Sequence, residues 1–148
     1  MSATFLKIIP TDPSYVPDKK QQENGKALLA SFYHNSQIEF ISTDSIEFVD
    51  QGENFDSVFC NLCKQNISIQ TWQKAMDKAY EQQFTNLMFI TSCCHKKTSL
   101  NDLIYHTAAG FAKFAVVISD ANSELSKKDF DKLQDILGTP LRNVWAHY

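Results

Sequence analysis

The first fifty residues alternate between apolar and polar positions in patterns that predict a strand, a helix and two further strands. An apolar run at residues 4–9 ends at a proline and predicts a strand, and apolar residues at helical spacing predict a helix over residues 18–33, capped by its first residue. Residues 37–42 and 45–49 alternate strictly, with Thr-Asp at 43–44 between them, which predicts a β-hairpin. The predicted inward face of the helix comprises Ala27, Leu28, Leu29 and Phe32.

The last third of the chain repeats the order strand, helix, strand. Residues 111–119 predict a strand, and residues 126–137 predict a helix with Ser126 as its N-cap and Gly138 as its stop. Residues 141–148 predict the last strand. The two units predict an α+β fold: a small antiparallel or mixed sheet with two helices on one face, like a split βαβ arrangement. Internal duplication would explain the repeat; chance recurrence of βαβ patterns is the alternative.

The middle of the chain differs from both ends and contains every cysteine. Within a single domain spanning residues 1–148, we therefore interpret residues 51–105 as an inserted, cysteine-bearing subregion. Its apolar residues at three- and four-residue spacing, from Ile69 to Tyr80, predict an amphipathic helix, and residues 87–91 predict a strand. Ser99 and Asp102 have the form of a capping box, which predicts a short helix through Tyr105.

The four cysteines form two short clusters. Cys60 and Cys63 make a CxxC motif, and Cys93 and Cys94 are adjacent. A CxxC turn directs two thiolates at one ion, and a second pair supplies the other two ligands of a tetrahedral Zn²⁺ site. Adjacent residues of an extended strand point to opposite faces, so the second pair requires a turn. His95 could replace one cysteine as ligand.

Two other interpretations of the cysteines stay open at this stage. They could serve thiol redox chemistry, or they could pack as small apolar side chains. Four bound thiolates would leave no coordination position for water, which makes the zinc structural. If one cysteine were not a ligand, an enzyme using an open zinc position or the Cys60/Cys63 pair would be conceivable.

Composition and charge speak against nucleic acid as the partner without excluding it. The chain is 43% hydrophobic, carries a formal net charge of −3 and has Arg142 as its one arginine, so nucleic acid is not the expected partner. For Arg142 we expect an ion pair with Glu47, Asp50 or Glu53. A secretory signal, a membrane-spanning run and the common nucleotide, protease and hydrolase motifs are not evident, and the predicted location is cytoplasmic. The leading hypothesis is a zinc-containing protein-binding or adaptor module.

Several motifs resemble those of an uncharacterised family of small bacterial proteins. They are CNLC, W-x3-MD, CC followed by TSLNDL, GFAKF and LGTPLRNVWAHY, together with IPTDP and EFVDQGENF near the start. The family is similar in having a CPxCG-like knuckle, a CCG and a WPAGFA stretch, and all four cysteines of this chain match its cysteines by position. A glycine is commoner where His95 stands, and Trp-Pro where His106 and Thr107 stand. The resemblance implies a zinc-ribbon-like knuckle and implies no activity.

Overall fold

A computed structural model describes residues 3–148. In this part of the chain, no helix has both the length and the apolar character needed to cross a membrane. Its helices and strands, in chain order, are β1 (Thr4–Pro10), α1 (Lys19–Phe32), β2 (Ile38–Val49), β3 (Val58–Phe59), β4 (Asn66–Ile67), α2 (Ile69–Tyr80), β5 (Met88–Ile90), β6 (Lys97–Ser99), β7 (Ile104–Tyr105), β8 (Gly110–Ser119), α3 (Lys127–Leu137) and β9 (Leu141–His147).

The predicted α+β class is confirmed, and the main sheet is antiparallel. Its strand order is β2-β8-β1-β9, and each neighbouring pair runs antiparallel. Strands β1 and β2 are therefore parallel with β8 between them, and β8 and β9 are parallel with β1 between them. Two split βαβ units are thus interleaved, as the repeated pattern predicts. Their origin by duplication stays a prediction.

Helices α1 and α3 pack together on one face of this sheet. Gly25 on α1 lies against α3, since a Cβ at this position would be 3.1 Å from a methyl group of Leu137. The predicted inward face of α1 is partly wrong, because Ala27 and Phe32 are exposed while Gly25 and Leu29 are buried. The buried core under the helices comprises Leu6, Ile8, Leu29, Phe114, Val116, Ile118, Ala121, Leu125, Leu133, Leu137 and Leu141.

The hairpin predicted at residues 43–44 is wrong. Strand β2 runs through this point and pairs with β8 on both sides of it, with a register shift between Ser42 and Glu47. Neither Thr43 nor Asp44 has the positive φ that a two-residue hairpin turn requires. Instead, the Thr43 hydroxyl lies 2.8 Å from the Ser45 carbonyl and stabilises a bulge.

The segment between β2 and β8 forms a second lobe with a core of its own. It contains α2, the three-stranded sheet β4-β3-β7 and the two-stranded sheet β5-β6. Trp72 lies at the centre of this core and donates a hydrogen bond to the Tyr105 hydroxyl (3.2 Å). The short helix predicted between Ser99 and Tyr105 is wrong, because Tyr105 is in β7 and pairs with Val58 of β3.

Arg142 connects the main sheet to the second lobe. The guanidinium donates hydrogen bonds to the carbonyl of Ala109 (2.8 Å) and to the side-chain oxygen of Asn101 (3.2 Å). Burial lowers the pKa of Arg142, and Asp102 opposes that shift. The predicted ion pair with residue 47, 50 or 53 does not form in the described residues, because backbone and amide oxygens take the guanidinium.

We expect Arg142→Met to lower the free energy of unfolding by about 1–3 kcal/mol, because the buried Ala109 and Asn101 oxygens lose their donor. Urea denaturation measures the change. Lys127→Met is the matched control, since the ion pair of Lys127 with Asp131 is exposed and is worth about 0.5 kcal/mol at most. Equal effects of the two substitutions would contradict a linking role for Arg142.

Candidate metal centre

The first cysteine pair lies in the six-residue loop of the β3–β4 hairpin. The Cys60 amide donates to the Gln65 carbonyl (2.9 Å), and the Lys64 amide donates to the Cys60 carbonyl (3.0 Å). Lys64 has a φ of 68°, a left-handed conformation in which few residues other than glycine lie without strain. This tight loop points both sulfurs to the same side of the hairpin.

The loop of the β5–β6 hairpin repeats these contacts. The Thr91 amide donates to the Lys96 carbonyl (3.0 Å), and the His95 amide donates to the Thr91 carbonyl (3.0 Å). His95 has a φ of 57°. Thr91, His95 and Lys96 lie 31 positions after Cys60, Lys64 and Gln65. The strand residues next to the loops correspond as well, because Ile90 pairs with Lys97 and Phe59 pairs with Asn66. The two loops are therefore equivalent in backbone structure.

All four sulfurs converge between the two loops. They lie within 4.8 Å of one another, close enough to hold a metal ion. The Cys63–Cys93 and Cys60–Cys94 sulfurs are 3.3 Å and 3.9 Å apart. Sulfurs at about 2.3 Å from a tetrahedral zinc ion are about 3.8 Å apart, so this arrangement fits four thiolate ligands around one ion.

Equivalence of the loops explains how adjacent cysteines can contribute together. Cys94 corresponds to Cys63, but Thr91 stands where the first loop has Cys60. The Thr91 side chain is buried and its hydroxyl lies 3.1 Å from the Cys94 sulfur. Cys93, one position before Cys94 in a turn rather than a strand, supplies the fourth sulfur. The turn required by the sequence is thus present.

The two thiols of the first loop differ in pKa because their surroundings differ. Burial raises the pKa of Cys60, but the amides of Leu62 and Cys63 outweigh it and lower the pKa to about 6. The Gln65 amide lowers the pKa of Cys63, but Cys93, burial and the other thiols raise it to about 12. Four neighbouring thiolates would repel one another, and a bound divalent cation would offset this repulsion and favour the thiolate form.

None of the histidines described by the structure joins the cysteine cluster. His95 is exposed, and its backbone rather than its ring shapes the loop. The ring of His106 lies 2.8 Å from Asp56, and that of His147 lies 3.6 Å from Glu53. The alternative in which His95 replaces a cysteine therefore gains no support from the geometry.

Two polar side chains near the cluster were not found from the sequence. Thr91 contacts Cys94, and the buried Thr98 donates a hydrogen bond to the Asn61 side chain (2.8 Å), which joins the second hairpin to the first loop. The sequence signal that could have identified Thr91 is a weak similarity between the two hairpins at a spacing of 31 residues. Only the Cys63-Lys64 and Cys94-His95 pairs show this similarity clearly, so the spacing of the cysteines alone does not align the two loops.

Loop equivalence predicts that a ligand can be moved. Cys93→Ser should weaken metal binding by more than about 100-fold, beyond the 10–100-fold cost of losing an outer partner of a ligand. Adding Thr91→Cys to Cys93→Ser should restore binding, because positions 91 and 94 then match the ligands at 60 and 63. Competition titration with a chromophoric chelator measures both affinities.

The matched control is Ser92→Ala, an exposed change in the same loop that should leave affinity unchanged. A double variant as weak as Cys93→Ser alone would show that the two loops are not equivalent around the ion.

Comparison of the chain with protein-family models, with curated proteins and with solved structures found no match. The resemblance to a family of small bacterial proteins therefore stays a prediction. The assignment of the cysteine cluster as a candidate metal centre rests on the positions of its sulfur atoms.

Proposed function

We propose that the four cysteines bind one structural Zn²⁺ ion and that the lobe it stabilises is a protein-binding module. The observation that carries the metal assignment is the convergence of four sulfurs within 4.8 Å from two equivalent loops. Four thiolates in tetrahedral array favour zinc over the hard cations, which prefer oxygen ligands. With every position filled by sulfur, the ion has no site for a reacting water, so its role is to hold the two hairpins together.

Strand β5 supplies the proposed docking edge. Among the strands of residues 3–148 it pairs with β6 alone, and Met88 and Ile90 are 46% and 68% exposed. The Thr91 amide donates a hydrogen bond to the Lys96 carbonyl across the hairpin. Since successive residues of an antiparallel strand direct their backbone N–H and C=O to alternate sides, those of Ile90 point to the outer edge, away from β6. Such an edge accepts an extended segment of another chain as an additional strand.

Lysines indicate the charge of the partner. Lys74 and Lys78 on α2, with Lys97 on β6, line a groove of about 650 Å³ beside β5. Among the residues described, no acidic side chain lines this groove. We therefore expect the partner to be an extended protein segment that alternates acidic and apolar residues.

Metal content tests the first half of the proposal. Protein purified without added metal should contain about one zinc per chain, measured by inductively coupled plasma mass spectrometry. Chelation should lower the free energy of unfolding by about 4 kcal/mol, the value for a ligand present at about 1,000 times its Kd. Cys60→Ser should have the same effect, and Ser92→Ala should have none.

Metal-free protein in which Cys60 or Cys63 is rapidly alkylated would favour the alternative, a thiol-redox or zinc-dependent enzyme that uses this pair. Full burial of Cys60 in the structure makes rapid alkylation the less expected result. A Cys60→Ser protein with an unchanged fold would likewise contradict a structural role for the ion.

Peptide binding tests the second half. The probe is a labelled peptide, acetyl-Glu-Val-Glu-Val-Glu-Phe-amide, titrated into the zinc-loaded protein by fluorescence anisotropy. Ile90→Ser and the double variant Lys74→Gln/Lys78→Gln should each weaken binding about 10-fold, because one removes apolar contact and the other removes charge. Two controls should leave the affinity unchanged. One is Ile69→Ser, the same change at an exposed isoleucine outside the groove, and the other is Lys127→Gln/Lys128→Gln.

Equal losses in the control variants would overturn docking at β5. Preference for a single-stranded oligonucleotide over the peptide, with affinity falling steeply as salt rises, would overturn it in favour of nucleic acid.

A further inference from the structure

The face of the main sheet opposite α1 and α3 contains a cavity that the protein-binding proposal does not use. Strands β2, β8 and β1 form it, and its volume is about 320 Å³. This size lies at the lower end of the range for small-molecule sites, which is about 300–1,000 Å³. It lies in the other lobe from the cysteines.

Small side chains on β8 create the depression. Ala115, paired with Ile41, and Val117, paired with Lys7, form its floor. The rings of Phe5 and Tyr148, with centroids 5.9 Å apart in an edge-to-face arrangement, form one wall. The floor and walls are therefore mainly apolar and suit a hydrocarbon or aryl group.

The cavity has a cationic end at Lys7. The Lys7 ammonium donates to the Tyr148 hydroxyl (2.6 Å) and to the Asp50 carbonyl (3.3 Å), while an Asp50 carboxylate oxygen is 3.9 Å away. That carboxylate oxygen also accepts the Gly52 amide (2.9 Å) and the Tyr148 hydroxyl. An ammonium group has three N–H donors, so among the residues described one N–H of Lys7 makes no hydrogen bond, because the Asp50 carboxylate at 3.9 Å is an ion-pair partner beyond hydrogen-bond distance.

Two lysines and one carboxylate line the cavity among the residues described, and the Asp50 carboxylate that pairs with Lys7 is not part of this lining. Lys113 also lines the cavity, and Glu47 is the only acidic side chain among the residues described there. Only 15% of the Lys7 side chain is exposed, so an anion bound to it would be partly shielded from water and from salt.

We propose that this cavity binds a small amphipathic carboxylate, with its anionic head at Lys7 and its apolar tail over Ala115 and Val117. Burial lowers the pKa of Lys7, and Asp50 only partly opposes this shift. A bound carboxylate adds a second negative charge to that of Asp50 and accepts the N–H that makes no hydrogen bond in the structure.

Octanoate is the probe, titrated into the zinc-loaded protein and followed by isothermal calorimetry and by amide chemical shifts. Octanoate should bind and shift the amides of β1 and β8. Octylammonium, which has the same tail and the opposite charge, and octanol, which has no charge, should bind at least about 10-fold more weakly, because neither forms an ion pair with Lys7.

Two substitutions test the contact with the carboxylate head of octanoate and the contact with its apolar tail separately. Lys7→Met should weaken octanoate binding by about 10–100-fold, the effect of losing one charge-assisted hydrogen bond, and should leave octanol binding unchanged. Ala115→Leu should block all three probes by filling the floor. The matched controls are Lys127→Met and Ala27→Leu, at exposed positions on α3 and α1. Circular dichroism verifies that each variant is folded.

Equal binding of octanoate and octylammonium, or full binding by Ala115→Leu, would overturn the proposal. So would a concentration-dependent dimer in sedimentation that Ala115→Leu abolishes and octanoate does not affect, because a second copy of the chain would then cover this face. None of these outcomes tests the metal ligands or docking at strand β5, so failure of this proposal is distinguishable from failure of the proposed function.

Discussion

Convergence of four sulfurs is the constraint that sets the two hairpins of the second lobe against each other. Strands β3, β4 and β7 have two residues each, and β5 and β6 have three, so their ladders contain too few hydrogen bonds to be stable alone. Two loops with the same backbone contacts bring their sulfurs within 4.8 Å, beside the buried core of the lobe. In the proposed function a bound ion would hold the hairpins in this position, and docking at β5 would rely on it, because an edge strand recruits a partner only when its own hairpin is formed.

The second lobe is also continuous with the main sheet. Phe48 on β2 and Phe111 on β8 have ring centroids 5.2 Å apart, and both pack against the core of the second lobe. Arg142 adds polar contacts to the carbonyls beside that core. Order at the cysteine cluster is therefore coupled through packed aromatic rings to strands β2 and β8, while the helix-covered core of the main sheet consists of other residues.

Periodicity predicted most helices and strands because their stability depends on local features. The Asp18 and Ser126 caps and the left-handed Gly138 stop are visible in sequence and present in the structure. The continuous β2 was missed because its pairing with β8 up to Ser42 and again from Glu47 outweighs a local turn preference at Thr43 and Asp44. The clustering of cysteines predicted their convergence. The role of Thr91 was not predictable, since only the backbone contacts reveal which residues of the two loops correspond.

Charge separates the two proposed sites. The groove beside β5 is lined by three lysines and by no acidic side chain among the residues described, whereas the cavity at Lys7 is lined by two lysines and one glutamate. The Lys7 ammonium is desolvated, and short-range contacts with a buried group are screened much less than surface charges. An amphipathic carboxylate must therefore gain its affinity from the apolar floor and one hydrogen-bonded ion pair. The proposed acidic partner segment would gain from the field of several lysines around β5, and its association rate would fall with salt. Under the two proposals, ionic strength would therefore act strongly on binding at β5 and weakly on binding at Lys7.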